Sequence, residues 1–370
     1  LVGALLVGDS VRGSLRRMAL ARVGQVDLAA VAEGRFFTQE LAERRLPRHL
    51  DARTAAVLHL RGQAKTPDGS ARANDVNVLG VDESFWRLGG SGMAFSGPAA
   101  EEVILSRRLA TDLDAAAGDR VTLRVEKPGL VPRDTPLSAD EEGTLALTLT
   151  VAAVADDEDF GRFSLRASQI PPANAFLPRR TLAEAVDLPG RANLLLVGRA
   201  GEAKPVSLDR AEAALAEAWR LADAAVEVRR FDSLGVIELR SGRVFLDEAI
   251  GRAAAEADPP ATGLLTYVLN EVRLGAKASP YALATGIGRL EPGRPAGTRP
   301  ARGRPAPLPP DMADDEIDLD DWLAGDLGAK VGDEVELRYY ALGSARRLEE
   351  RSATFRVRGI VFFDDAAATE

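Results

Sequence analysis

The 370-residue chain has no cysteine and only two histidines, His49 and His59. The first absence removes disulfides, thiolate nucleophiles and zinc–thiolate sites together. The second makes a His-based metal centre or a catalytic triad hard to build. A chain without cysteine is compatible with an oxidising compartment. Aromatics are 5% of the residues, and only five of the 47 basic residues are lysine, against 56 acidic ones and a net charge of −9. That balance offers no basic face of the kind nucleic acid demands. No stretch reaches the roughly 18 to 20 apolar residues of a membrane helix. A G-x-S-x-G nucleophile elbow is missing, and the glycine-rich run Leu88-Gly89-Gly90-Ser91-Gly92 has no Lys-Ser/Thr after it to make a phosphate loop. What is present is 46% hydrophobic and 28% charged residues, enough to bury a core over a length that suggests about two domains.

The remaining candidates for chemistry have plainer readings. Asp311, Asp314, Asp315, Glu316, Asp318, Asp320 and Asp321 could hold a hard cation, but they lack the EF-hand order of a Gly at the sixth position and a Glu at the twelfth. They read as a solvated strand-to-helix turn, and Asp156-Asp157-Glu158-Asp159 as a charged loop after a strand. His59 lies in the apolar run Ala55 to Leu60 and reads as a strand residue. Phe85-Trp86 and Trp322 read as core or subdomain-interface aromatics. No catalytic, cofactor-binding or metal-binding residue is assigned.

The sequence repeats itself. Glu102 to Val125 (EVILSRRLATDLDAAAGDRVTLRV) aligns without a gap on Glu316 to Tyr339 (EIDLDDWLAGDLGAKVGDEVELRY), with about half the positions identical. Matched pairs include Leu105/Leu319, Leu109/Leu323, Leu113/Leu327, Gly118/Gly332, Asp119/Asp333 and Leu123/Leu337. Downstream, Thr148 to Val154 faces Thr354 to Ile360. Upstream, Gly34-Arg35-Phe36-Phe37 faces Gly242-Arg243-Val244-Phe245. Within each copy a short strand (Val103 to Leu105) is followed by Ser106, an N-cap residue, and a helix with Leu109 and Leu113 on one face. Gly118 and Asp119 make a turn, so the repeated Gly-Asp pairs read as structural. Val121, Leu123 and Val125 then alternate in a strand that pairs with Leu145, Leu147 and Leu149 as an antiparallel hairpin. Residues 174 to 230 read strand, strand, helix, strand, the helix capped by Ser207 and carrying Leu208, Ala211, Leu215, Ala218 and Trp219.

These patterns predict an α+β fold, a tandem repeat of mixed strand and helix modules with antiparallel hairpins. The expected division is a stem at 1–25, a first repeat at 26–225 and a second, C-terminally truncated repeat at 226–370. Within the second, 291–310 (EPGRPAGTRPARGRPAPLPP) is a Pro/Arg-rich insertion. The apolar Leu1 to Gly8 ahead of the charged Asp9 to Arg17 reads as the tail of a membrane helix, a core strand or a signal-peptide remnant.

Leu5 to Leu15 resembles the segment leaving the first membrane helix of MacB/FtsX-like ABC-transporter permeases. Val78-Leu79-Gly80-Val81-Asp82-Glu83-Ser84-Phe85-Trp86 is similar to the strand, G-V-D and aromatic signature of that family. The order of Val103 to Ser106, Leu109, Leu113, Gly118-Asp119 and Val121 to Leu123 is similar too, as are Val357-Arg358-Gly359-Ile360-Val361 and Asn174-Ala175-Phe176-Leu177-Pro178. The resemblance implies the extracytoplasmic (periplasmic core) domain of an inner-membrane permease, which relays motion and carries no ATPase site of its own. It implies a separate P-loop ATPase subunit on the cytoplasmic side, and leaves room for a homodimer and for a periplasmic partner or lipoprotein substrate. The family has one such domain between two membrane helices, whereas here a second copy follows directly. The alternative is a secreted, soluble two-repeat binding or adhesion module.

Overall fold

The computed structural model describes residues 20, 22–32, 34–89, 97–128, 144–166, 168, 170–201, 203–232, 235–241, 248–257, 261–289, 312–342 and 348–362. Of the stem at 1–25, residues 1–19 and 21 lie outside those residues, as do the insertion at 291–310, Gly90 to Gly92, Asp311 and the 242–245 end of the upstream match. The chain divides into two compact units, 1–130 with 139–243 and 131–138 with 244–370.

The first unit begins with β1 (Val26–Val31), β2 (Phe37–Thr38), β3 (Arg53–Lys65), β4 (Arg72–Val81), α1 (Glu83–Trp86), β5 (Glu102–Ser106), α2 (Arg107–Leu113), β6 (Arg120–Glu126) and β7 (Thr144–Ala155). There follow β8 (Asn174–Pro178), α3 (Arg179–Ala185), β9 (Arg191–Ala192), β10 (Leu194–Gly198), α4 (Leu208–Ala218) and the hairpin of β11 (Val226–Phe231) and β12 (Val236–Ser241). One sheet runs β1-β10-β3-β4-β8-β5-β7-β6, and the end of β3 also pairs with β6, so six strands close on themselves. The pairs β4/β8 and β5/β7 are parallel and the rest antiparallel, a mixed sheet with helices packed on it.

The alternation of β5, β6 and β7 sends Val103, Leu105, Val121, Leu123, Val125, Leu149 and Val151 to one side, against Leu109, Leu113 and Leu182 of the helices. β8 is covered on both faces. Ala175 and Leu177 join that core, while Phe176 joins a second one with Phe85, Trp86, Phe160, Phe163, Ile104 and Leu79.

Ser106 caps α2 as its residue type predicts: Oγ accepts from the Leu109 amide at 3.3 Å. The same hydroxyl accepts from the Asn174 amide at 3.0 Å, tying the helix to β8. Ser106→Ala should therefore cost about 1–2 kcal/mol, at the upper end for a lost cap, in urea unfolding; no change would mean that water replaces both bonds. The residue that ends α2 in the left-handed conformation is Asp114 (φ 48°), ahead of the Gly118 turn (φ 95°). In α4 the buried positions are Ala214 and Ala218; Leu208, in the first turn, is 57% exposed, and the helix stops before Trp219.

The second unit comprises α5 (Glu248–Ala255), β13 (Thr262–Val268), β14 (Glu271–Leu274), β15 (Lys277–Pro280), β16 (Leu283–Arg289), β17 (Glu316–Asp320), α6 (Asp321–Leu327), β18 (Glu334–Leu342) and β19 (Leu348–Val361). Its sheet runs β15-β14-β18-β19-β17, beside a two-stranded ribbon of β13 and β16. Leu319, Leu323, Leu327, Val335, Leu337 and Val357 form its core.

Local details of β17–α6–β18–β19 coincide with those of β5–α2–β6–β7. Each opening strand pairs in parallel with the closing one, with an irregular register between Val103 and Ile104 and between Ile317 and Asp318. Asp320 caps α6 by accepting from the Leu323 amide at 2.7 Å. Gly118 and Gly332 have φ of 95° and 96°, and the carboxylates of Asp119 and Asp333 accept from the amides of Ala116 and Lys330 at 2.7 and 2.8 Å.

Candidate functional site

Two places in the first unit join residues from distant parts of the chain. The first is at the ends of β4 and β8. Their parallel register reaches Val81 opposite Pro178, so the next residues, Asp82 and Arg179, stand side by side. Arg179 Nη1 lies 2.8 Å from Asp82 Oδ2 and donates to the Ala56 carbonyl at 2.8 Å, while Nη2 pairs with Glu43. The arginine is 7% exposed, and a buried guanidinium needs this compensation. Asp82 also caps α1, its Oδ1 accepting from the Ser84 amide at 2.9 Å. Outside this group lies a cleft of about 490 Å³ lined by Gln39, Asp82, Glu83, Arg179, Arg180 and Glu184 with three prolines. Arg180 pairs with Glu184 at 2.8 Å. The arrangement fastens β4, β8 and the 41–45 turn together by charge, and the Ser84 hydroxyl adds a bond to Asp82 Oδ1.

The second place is where the chain enters the unit. Arg22, 7% exposed, donates to the Ser168 carbonyl. Gly24 has φ 56°, and the Gln25 amide donates to the Leu88 carbonyl at 2.8 Å. Arg53 Nη1 reaches Gln25 Oε1 at 3.1 Å and the Arg87 carbonyl at 2.9 Å. Asp27 accepts from Arg199 at 2.8 Å and from the Val206 amide at 3.1 Å. Val23 and Val26 pack on the aromatic core of Phe85, Trp86, Phe160, Phe163 and Phe176. Its rings make edge-on and tilted contacts at 4.8–5.8 Å.

The residues weighed in the sequence are dispersed. His59 is in β3, its ring hydrogen-bonded to Asn77 at 3.2 Å; burial holds its pKa below the ordinary imidazole value, against the effect of that bond. His49 is exposed after the 46–48 turn. Phe85 and Trp86 are core residues, but Trp322 on α6 is 71% exposed. Asp156 is held by Arg107 through two bonds of 2.6 and 2.7 Å, which lower its pKa. Of the acidic run, Glu316, Asp318 and Asp320 alternate with Ile317 and Leu319 along β17, and Asp320 is the cap of α6. Among the described residues no group of three metal-ligating side chains converges. Arg179, Glu43, Gly24 and Phe160 carried no signal in the sequence, because their partners are far along the chain.

No protein-family model and no curated protein matches the chain. Among solved structures it is similar to the extracellular domain of YknZ, a noncanonic ABC-type transporter from Gram-positive bacteria. The identity is 14% over 56% of this chain and 90% of that one, with a TM-score of 0.32. It is also similar to the periplasmic region of MacB from Actinobacillus actinomycetemcomitans, at 12% identity over 60% of this chain and 92% of that one, with a TM-score of 0.30. Among the described residues no helix is long and apolar enough to cross a membrane.

Proposed function

We propose that this chain is the extracytoplasmic region of a MacB/FtsX-like ABC-transporter permease, which receives motion through its N-terminal segment and passes it to a partner or substrate outside the membrane. The carrying observation is the way residues 22–31 are built in. A segment that merely trailed from the domain would need no buried arginine, no glycine in a left-handed turn and no anchoring to an aromatic core. The Asp82–Arg179 pair supports the same reading, since it joins the motif of Val78 to Trp86 to the residue that directly follows the motif of Asn174 to Pro178.

On this reading the stem at 1–25 follows a membrane helix, the unit from 26 to 225 is one module, and 226–370 is a second copy of it. The shared register irregularity, helix cap and Gly-Asp turn of the two segments support that duplication. ATP is hydrolysed by a separate P-loop subunit on the other side of the membrane, and the chain takes no catalytic part.

Residues 1–370 contain no cysteine of their own, so one introduced here is the sole label site of this region once any cysteine elsewhere in the gene product is replaced. A single Ser70→Cys, at an exposed position between β3 and β4, is placed in the protein expressed from its whole gene. Labelling of intact spheroplasts by a membrane-impermeant maleimide, with the protein in the membrane fraction, is expected. Labelling of a protein released in soluble form would favour the secreted binding module instead, and protection until lysis would overturn both.

A further inference from the structure

We infer that the turn carrying Phe160 is a clasp that holds the entering segment onto the first unit and sets the load at which β1 peels away. The inference rests on the relay reading above. It is carried by a close packing of backbone and one ring.

Phe160 is 4% exposed and has φ 64°, a left-handed conformation that a bulky residue adopts only at a cost. Such a residue persists only where its surroundings over-determine it. The turn around it is closed by the amides of Asp159 and Gly161 donating to the Asp156 carbonyl at 3.1 and 3.0 Å, and by Phe163 donating to the Phe160 carbonyl at 3.1 Å. Arg107 on α2 fixes Asp156 from outside.

The ring is held against glycines. A Cβ on Gly24 would sit 2.5 Å from the Leu88 carbonyl oxygen and 3.1 Å from Phe160 Cε2. One on Gly89 would meet Phe160 Cβ at 3.0 Å, and one on Gly161 the Ala155 carbonyl oxygen at 2.4 Å. One on Gly198, in β10, would meet the Gln25 carbonyl oxygen at 2.4 Å. The left-handed turn of Phe160 thus brings its ring against the Gly24 backbone, with the Leu88–Gly89 turn beside it.

What the clasp holds is an edge strand of the sheet. β1 is at the edge, pairs among the described residues with β10 alone, has an irregular register between Val26 and Leu28, and its last three residues are exposed. A pull on the segment before residue 24 therefore reaches the clasp before it reaches the β1–β10 ladder.

The test is hydrogen exchange on the full chain of Phe160→Ala, with Phe160→Leu as a milder variant should the first fail to fold. The amides of residues 25–31 should exchange at least 10-fold faster while those of 102–106 and 120–126 keep their wild-type rates. Equal acceleration everywhere would make Phe160 an ordinary core residue, and unchanged exchange at 25–31 would show that the ring does not hold the strand. Either result overturns the clasp. If β1 is loosened but ATP-driven transport by the whole assembly is unaltered, the clasp stands and the relay reading falls.

Discussion

Ile104→Asp should unfold the first unit, whereas its repeat-related reverse, Asp318→Ile, should leave stability within about 0.5 kcal/mol. Ile104 is 2% exposed and packs in the cluster of Phe85, Trp86, Phe163 and Phe176. A carboxylate there would have no partner in an apolar pocket, which costs about 4 kcal/mol or more, a large share of a domain stability of about 5–15 kcal/mol. Asp318 stands at the matching place on β17 but is only half-buried, and no aromatic cluster covers that face among the described residues. Urea unfolding followed by tryptophan fluorescence, with Trp86 in the affected core, measures both. A wild-type midpoint for Ile104→Asp would contradict the two-sided burial of β5.

Asp223→Ala should cost about 3–5 kcal/mol, the loss seen when one partner of a buried ion pair is removed. The Asp223 side chain is fully buried, and its carboxylate binds both terminal nitrogens of Arg45 at 2.7 Å, the Thr38 amide at 3.1 Å and hydroxyl, and the Arg220 amide at 2.9 Å. Without it Arg45, 16% exposed in its side chain, keeps the Ala218 carbonyl and the Thr38 hydroxyl but loses its counter-charge. Burial alone would raise the carboxyl pKa; the bonds from Arg45, Thr38 and Arg220 outweigh it and hold the value below the ordinary carboxylate range. Its contribution is therefore complete above the unfolded carboxyl value of about 3.9 and is lost as the pH falls through the lower folded value. Asp223→Asn should remove that acid-side slope. A slope that survives the substitution would assign it to other carboxylates.

Much of the fold was legible where spacing alone decides it. The alternation at Val121 to Val125 and Leu145 to Leu149 gave the β6–β7 hairpin, with Val121 opposite Leu149 and Val125 opposite Leu145. Ser106, Leu109 and Leu113 gave α2, cap included. The candidate site was much less legible. Nothing near Arg179 in the sequence points to Glu43 or Asp82, and nothing near Gly24 points to Phe160. Those contacts form because β8 is laid between β4 and β5, in parallel to the first and antiparallel to the second. Local periodicity carries no information about which strands become neighbours.

The sequence by itself determined the periodic elements, the Ser106 cap and the absence of thiol chemistry, because each depends on side-chain type and on spacings of two to four residues; Ser207, expected to cap α4, stands at its N-terminus without a side-chain cap bond. Tertiary structure alone decided burial and partnership. The same repeated position is sealed at Ile104 and open at Asp318, since burial depends on what the rest of the chain brings over a strand. A bulky phenylalanine is held in a left-handed turn at residue 160, since only packing from several directions offsets that backbone cost.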